Sequence, residues 1–196
     1  MKKLFLIPLI AFVSFGLVAC SDSNSNVDEP ASTENSTPAS PITMADVEAA
    51  QQAWGEGIVT IGNAFTNGED YRAVAADHVR KFYAYGSSTI LFKPTLAAED
   101  QFRGDFDEAL SYFVGTDGTE DNGFAIAPYT NVRWENEGTI IDDEGDMAMA
   151  MAMGNYFFTG TDGNVTKVEY TFGYMKDDNG DMKIVLHHSS LPFSAN

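Results

Sequence analysis

Two adjacent histidines near the carboxyl end are the side chains of this sequence best suited to moving a proton. His187 and His188 follow an apolar run and precede Ser189 and Ser190, and the third histidine of the chain is His78. Three imidazoles could together bind a catalytic zinc ion. Neighbouring residues of a strand, however, point to opposite faces of the sheet, and His78 lies on the apolar side of a predicted helix. We therefore expect no shared metal site, unless the strand is bulged.

The same closing strand has polar residues where a core strand is usually apolar. Alternation puts one set of side chains on its more apolar face, namely Ile184, Leu186, His188 and Ser190. This pattern predicts that His188 and Ser190 line a pocket, whereas a bulge would place His187 and Ser189 there. A frayed strand end at the surface would explain the four polar residues without any pocket.

Two further hydroxyl groups stand beside apolar residues. Thr95 follows Pro94, at a rigid turn that ends a short predicted strand. Tyr112 lies on a predicted helix, where a tyrosine on the apolar face is more often part of the core than catalytic. Neither residue indicates a function by itself.

Three helices are predicted in the first part of the domain. Apolar residues recur at steps of three and four from Val47 to Phe65, after a capping-box-like start and before Asn67 and Gly68. A second helix with the same spacing is expected to run to about Gly86. Asp105 and Glu108 cap a third helix, which Gly115 closes.

The hydrophobic period changes from helical to alternating after Gly123. Four strands are predicted at 129–141, 147–158, 165–175 and 182–190, separated by turn sequences rich in Asp, Asn and Gly. Consecutive hairpins form an antiparallel meander. Helices followed by a meander predict an α+β domain whose helices cover one face of the sheet.

Composition excludes several classes of function. The chain has 196 residues and a formal net charge of −18, so its surface repels nucleic-acid phosphates. Its single cysteine excludes an internal disulfide and any site with several cysteine ligands.

That cysteine, Cys20, ends a typical export signal. A short basic start and an apolar run lead to Leu-Val-Ala-Cys, which resembles the bacterial lipobox, whose cysteine is lipidated. We expect a signal peptide at 1–19, a lipidated cysteine and disordered tether at 20–41, and one α+β domain at 42–196. Because Ser21 and not Asp follows the cysteine, the predicted location is the cell envelope facing the periplasm, most simply at the outer membrane.

Six segments of the domain together resemble the iota-class carbonic anhydrases, most closely the bacterial and algal branch that works without a metal. These segments are Ala-Trp-Gly-Glu-Gly from residue 53, Leu-Phe-Lys-Pro-Thr from 91, Ala-Leu-Ser-Tyr-Phe from 109, Met-Gly-Asn-Tyr-Phe-Phe from 153, Val-Glu-Tyr-Thr-Phe-Gly-Tyr from 168 and His-His-Ser-Ser-Leu-Pro from 187.

The resemblance implies a cone-shaped curved antiparallel sheet with helices on one face, like the calmodulin-dependent kinase association domain and the nuclear transport factor fold. It implies reversible hydration of carbon dioxide to bicarbonate without a cofactor. By motif, the pocket groups would be Thr95, Tyr112 and the run from His187 to Ser190. A histidine would then accept the proton of the attacking water, the hydroxyls would orient the reactants, and Trp54, Phe92 and Phe113 are candidates for apolar walls.

A homodimer is predicted from the third-last strand, in which methionines alternate with small residues over 147–154. Both faces of this strand are apolar, so we expect helices on one face and a second subunit on the other. Two alternatives remain for the function: a non-catalytic ligand-binding or dimerisation module of the same fold, and a metal-dependent carbonic anhydrase.

Overall fold

The three helices precede the four long strands, as the change of period predicts. The computed structural model describes residues 41–143 and 148–195. The elements in chain order are α1 (Met44–Asn67), α2 (Tyr71–Phe82), β1 (Leu91–Lys93), α3 (Phe106–Val114), a 3-10 turn (Phe124–Ile126), β2 (Tyr129–Asp142), β3 (Met149–Gly160), β4 (Val165–Lys176) and β5 (Met182–Ser190). The predicted signal peptide, Cys20, most of the tether and Met147 lie outside the described residues.

Local sequence fixes the ends of α1 and α3. Thr43 and Asp46 exchange hydrogen bonds as a capping box at the start of α1, and Gly68 ends that helix in the left-handed conformation, with φ 71°. Asp105 and Glu108 form the equivalent box at the start of α3. None of the helices in the described part of the chain is both long and apolar enough to cross a membrane.

The second helix ends earlier than predicted. α2 stops at Phe82 and not near Gly86, because Tyr83 adopts an extended conformation and forms a bridge with Ile184 of β5. The Ala84 amide donates to the Ile184 carbonyl oxygen over 3.2 Å. Tertiary pairing thus overrides the helical spacing and brings the Tyr83 side chain beside the end of the sheet.

The sheet has five strands in the order β1-β5-β4-β3-β2. Strands β2 to β5 form the predicted antiparallel meander, whereas β1 pairs in parallel with β5, so that Phe92 is the register partner of His187. The sheet is therefore mixed, because this parallel pair is added to the predicted antiparallel meander at one edge. A parallel pair requires a long crossover, which here is everything between β1 and β5.

One face of the sheet packs against the helices. On β3 and β4 the alternate residues of this face are buried, namely Ala150, Ala152, Tyr156, Phe158, Val168, Tyr170, Phe172 and Tyr174. Trp54 of α1 lies over them, with its ring 5.7–6.5 Å from seven other aromatic rings. This aromatic layer is the core, and it forms the walls of the site described below.

Candidate active site

A bulge in β5 decides which polar side chains face the helices. Tyr174 pairs with Ile184 but Gly173 pairs with Leu186, so Val185 is an extra residue in the ladder. From the bulge onward the faces are exchanged.

His187 and Ser189 consequently point into the domain, and each is only 3% exposed, whereas His188 is exposed on the opposite face. The prediction from alternation, that His188 and Ser190 line the pocket, is therefore wrong. His187 and Ser189, which were expected to line the pocket if the strand is bulged, are the pair that faces the interior. Ser190 bonds instead to Glu169, with its Oγ 3.2 Å from Oε2.

A cavity of about 100 Å³ lies between the helices and the end of the sheet. It holds four of the predicted site residues, which come from three separate parts of the chain: Thr95, Tyr112, His187 and Ser189. The remaining lining is mostly apolar and aromatic, and consists of Trp54, Leu96, Phe113, Phe124, Tyr129, Tyr156, Phe158, Thr166, Val168 and Leu191. Since a water molecule takes up about 30 Å³ in the liquid, the cavity suits only a very small ligand.

Thr95 is held at the cavity by the loop that follows β1. Its hydroxyl donates to the Ser189 hydroxyl, with the two oxygens 2.8 Å apart. Ser189 therefore accepts one hydrogen bond and keeps its own proton available for a further acceptor.

The rest of that loop is fixed by charged side chains. The Glu120 carboxylate accepts the backbone N–H groups of Ala98, Glu99 and Asp100, each at 3.0 Å, and these bonds lower its pKa. The buried Arg103 guanidinium pairs with Asp121 at 2.7 Å. Two adjacent loops are thereby joined, which keeps Thr95 and Leu96 at the cavity.

Tyr112 reaches the cavity from α3. Its ring stacks on Phe124 with the centroids 5.6 Å apart and meets Phe92 edge to face at 5.8 Å. Burial raises the pKa of the Tyr112 hydroxyl, and the nearby backbone N–H of Leu96 only partly offsets this effect. Tyr112 is therefore a neutral hydrogen-bonding group at physiological pH.

His187 lies between aromatic rings and two tyrosine hydroxyls. Its ring stacks on Phe92 at 4.5 Å with an interplanar angle of 16°. The Tyr83 oxygen is 2.8 Å from Nδ1, and the Tyr156 oxygen is 3.4 Å from Nε2. Burial holds the pKa of His187 well below its ordinary value, with a smaller contribution from His188, so the imidazole is neutral.

His78 does not belong to the cavity. It packs against Trp54, Phe82 and Phe113, and neither ring nitrogen has a hydrogen-bond partner among the described residues. Burial lowers its pKa to about 3. Gly57 of α1 makes room for this ring, because a Cβ there would lie 2.2 Å from Nδ1.

The three histidines thus occupy three different environments. Over residues 41–143 and 148–195, no three His, Cys, Asp or Glu side chains are grouped so as to hold a metal ion. The ring of Trp54 contacts both buried histidines, at 5.8 Å from His78 and 5.7 Å from His187.

Two residues of the site were not expected from the sequence. Tyr156 lies on the buried face of β3, where strand alternation could have placed it. Tyr83 follows α2 and carries no motif, so no sequence signal connects it to His187. Of the candidate apolar walls, Trp54 and Phe113 line the cavity, while Phe92 stacks on the histidine.

Comparison with known proteins identifies the family. The profile of the family described as metal-independent carbonic anhydrase matches residues 45–191, which is most of the chain. The chain belongs to this family. The resemblance seen in the sequence motifs is thereby confirmed.

Two related proteins support the assignment. A metal-independent carbonic anhydrase from Nostoc sp. is 39% identical over 157 residues, which cover 78% of this chain and 75% of the relative. The crystal structure of an iota-carbonic anhydrase from a cyanobacterium, complexed with bicarbonate, matches with a TM-score of 0.74 and 36% identity, over 79% of this chain and 95% of that one.

A more distant structure shares the fold alone. A protein from Xanthomonas campestris described as a calcium/calmodulin-dependent protein kinase II association domain matches with a TM-score of 0.53 and 19% identity, over 76% of this chain and 88% of that one. The predicted α+β fold class is confirmed by these likenesses.

The two buried neutral histidines predict that the fold loses stability in mild acid. In the unfolded chain a histidine binds a proton below about pH 6.5, whereas His78 and His187 resist protonation in the folded state. The free energy of unfolding should therefore fall by about 1.4 kcal/mol per histidine for each pH unit below 6.5.

Urea denaturation between pH 7 and pH 5 measures this loss. In the variant His78→Leu, the free energy of unfolding should fall about half as steeply with decreasing pH, because one of the two buried histidines is removed. An equal slope in both proteins would contradict the assignment of acid sensitivity to these rings.

Proposed function

We propose that this chain catalyses the reversible hydration of carbon dioxide to bicarbonate in the cavity that contains His187 and Ser189. One observation carries the proposal: neutral hydrogen-bonding groups converge on an apolar cavity of about 100 Å³ in a chain of the metal-independent family. A related crystal structure contains bicarbonate, which supports the same ligand for this cavity.

The cavity suits both sides of the reaction. Carbon dioxide is small and uncharged, so aromatic walls can hold it without loss of solvation. Bicarbonate has oxygens that require hydrogen-bond donors, and Tyr112, Ser189 and His187 supply groups of that kind. Thr95 donates to Ser189 and so leaves the Ser189 proton available for the anion. Fixed donors aimed at the oxygens that gain charge stabilise the transition state without reorganisation.

The attacking oxygen must lose a proton, yet no side chain that lines the cavity is a strong base at neutral pH. Burial raises the pKa of Tyr112 and of Tyr156 and lowers that of His187. The expectation that a histidine accepts this proton requires an ordinary imidazole pKa, which His187 does not have.

We infer that the nucleophile is hydroxide from solvent. Its oxygen forms the new bond to carbon while one π pair of carbon dioxide moves onto an oxygen. The negative charge of hydroxide becomes that of bicarbonate, so the step needs no proton acceptor within the cavity.

Removal of single cavity groups tests the site. In Tyr112→Phe the ring is kept and the hydroxyl is lost, so kcat for hydration should fall roughly tenfold to a thousandfold if it stabilises the transition state. Thr95→Val and Ser189→Ala should also lower kcat for hydration. Stopped-flow hydration assays, made after chelation and with metal content measured, provide the rates.

Matched variants outside the cavity serve as controls. His187→Ala should abolish most activity and His188→Ala should retain it, because the two rings lie on opposite faces of the sheet. Tyr71→Phe controls for the loss of a phenol. A folded protein without hydration activity under any metal condition would instead support a ligand-binding module, and activity restored only by added metal would support a metal-dependent enzyme.

The pH dependence of the rate separates hydroxide attack from catalysis by a histidine base. If hydroxide is the nucleophile, kcat/KM for hydration should rise about tenfold per pH unit from pH 7 to pH 9. If neutral His187 were the base, its lowered pKa would leave the rate flat over this range. A flat profile would therefore overturn the hydroxide step.

We also propose that the chain forms a homodimer through the open face of the sheet. Ile140 and Met151 are cross-strand partners on that face and are 63% and 45% exposed, and Met153 is 55% exposed. A contiguous apolar patch of this kind favours a partner surface, and a second copy brings the same apolar character.

A charge on the open face should weaken the dimer. Met153→Glu would place two carboxylates, one from each subunit, in an apolar interface. The dissociation constant of the dimer should therefore rise roughly tenfold or more. Sedimentation or light scattering over a concentration series measures this change. Met44→Glu is the matched control, since Met44 is 48% exposed on α1. A wild-type protein that is monomeric at micromolar concentration would rule out the dimer.

Finally, we propose that the protein is a lipoprotein of the cell envelope, anchored through Cys20 and facing the periplasm. The lipobox-like segment and the polar residues after it support this proposal. Stable anchoring requires more than one acyl chain. Cys20→Ser should leave the precursor uncleaved or release the domain into the soluble fraction. A cleaved Cys20→Ser product that still requires detergent for extraction would contradict lipid anchoring.

A further inference from the structure

A chain of buried polar groups lies behind the histidine of the cavity. The indole Nε1 of Trp54 donates to the Tyr83 hydroxyl oxygen at 3.2 Å, and that oxygen is 2.8 Å from Nδ1 of His187. These three side chains are 1%, 2% and 3% exposed, respectively. They connect α1, the extended segment after α2, and β5.

The chemistry of these groups fixes the direction of both hydrogen bonds. An indole N–H can only donate, so the Tyr83 oxygen accepts from Trp54. Its own proton then needs an acceptor, and within the described part of the chain the other hydrogen-bond partner of the Tyr83 hydroxyl is Nδ1 of His187. Tyr83 therefore donates to Nδ1.

The alternative tautomer is disfavoured. If Nδ1 carried the proton, the Tyr83 hydroxyl proton would be buried without an acceptor. Such an unsatisfied donor shifts an equilibrium by about five- to 150-fold. A neutral imidazole has one proton, which is thus left to Nε2 on the other side of the ring.

The ring is also held in one orientation. It stacks on Phe92 and lies 4.0 Å from the centroid of Phe172, so rotation about its long axis is restricted. The contact of Nε2 with the Tyr156 oxygen is long, at 3.4 Å. The N–H at Nε2 is therefore free to form a shorter hydrogen bond to a ligand oxygen in the cavity.

We propose that Tyr83, supported by Trp54, is a positioning residue that keeps His187 in the tautomer with its proton on Nε2. The ring then donates a hydrogen bond to an oxygen of bicarbonate or of the transition state. The catalytic consequence rests on the proposed function, whereas the tautomer does not. Tyr83 itself touches no reactant.

Nitrogen NMR of the full chain tests the tautomer directly. The chain has three histidines, so 15N-histidine labelling gives few signals. The variants His78→Leu and His188→Ala each remove the signals of one ring, and the signals that persist in both belong to His187. At neutral pH the wild-type protein should show Nδ1 of His187 unprotonated and Nε2 protonated. A proton on Nδ1 in the wild-type protein would overturn the proposal without the need for any variant.

The variant Tyr83→Phe tests the cause. It keeps the ring and removes the hydroxyl, so the preference for the proton on Nε2 should shrink by about five- to 150-fold. The hydration kcat should fall on the order of tenfold as the donor loses its fixed proton. An unchanged tautomer in a folded Tyr83→Phe protein would contradict the positioning role.

A matched control separates this effect from the loss of any buried phenol. The hydroxyl of Tyr170 bonds to Gln51 and Asn136 and does not contact His187. Tyr170→Phe should leave the His187 tautomer unchanged. If the tautomer shifts in Tyr83→Phe while kcat does not, the positioning role is refuted. An inactive wild-type protein with the proton on Nε2 would refute the proposed function alone.

Discussion

The buried hydrogen bonds from Trp54 through Tyr83 to His187 are the interaction on which the site depends. An imidazole inside an aromatic core loses its hydrogen bonds to water at both nitrogens. The Tyr83 hydroxyl, held by Trp54, replaces the lost bond at Nδ1 of His187. They also bind three separate parts of the chain at one point. The other nitrogen is thereby left for the cavity. His78 shows the contrast, because within residues 41–143 and 148–195 its ring nitrogens have no hydrogen-bond partner.

The side chains that line the cavity are neutral, and burial is what keeps its ionisable groups uncharged. Desolvation raises the pKa of its tyrosines and lowers that of its histidine, so none of them carries charge at physiological pH. Such a cavity suits the proposed reaction, because it can hold an uncharged gas and offer hydrogen bonds to the anion that would form. Two buried neutral imidazoles also make the fold sensitive to acid, so acid sensitivity and the chemistry share one physical origin.

Distant parts of the fold hold the groups of the proposed site at fixed positions. Glu120 and Arg103 join two loops and thereby fix Thr95, while α3 carries Tyr112 and β5 carries His187 and Ser189. The opposite face of the sheet has a different character. Its exposed methionines cannot contribute to the cavity, since alternate residues of a strand point away from each other. One sheet thus separates the proposed catalytic site from the proposed dimer surface.

The sequence by itself determined α1 and α3, the meander, the family and the segments that contain Thr95, Tyr112, His187 and Ser189. Spacing and caps located α1 and α3, and turn residues separated the strands, because these signals are local. Only the tertiary structure decided that His187 and Ser189 face inward. One extra residue at Val185 exchanges the two faces, and the pairing between strands that creates it leaves no local signal. Tyr83 joins the site only through packing, since it lies 104 residues from His187 along the chain.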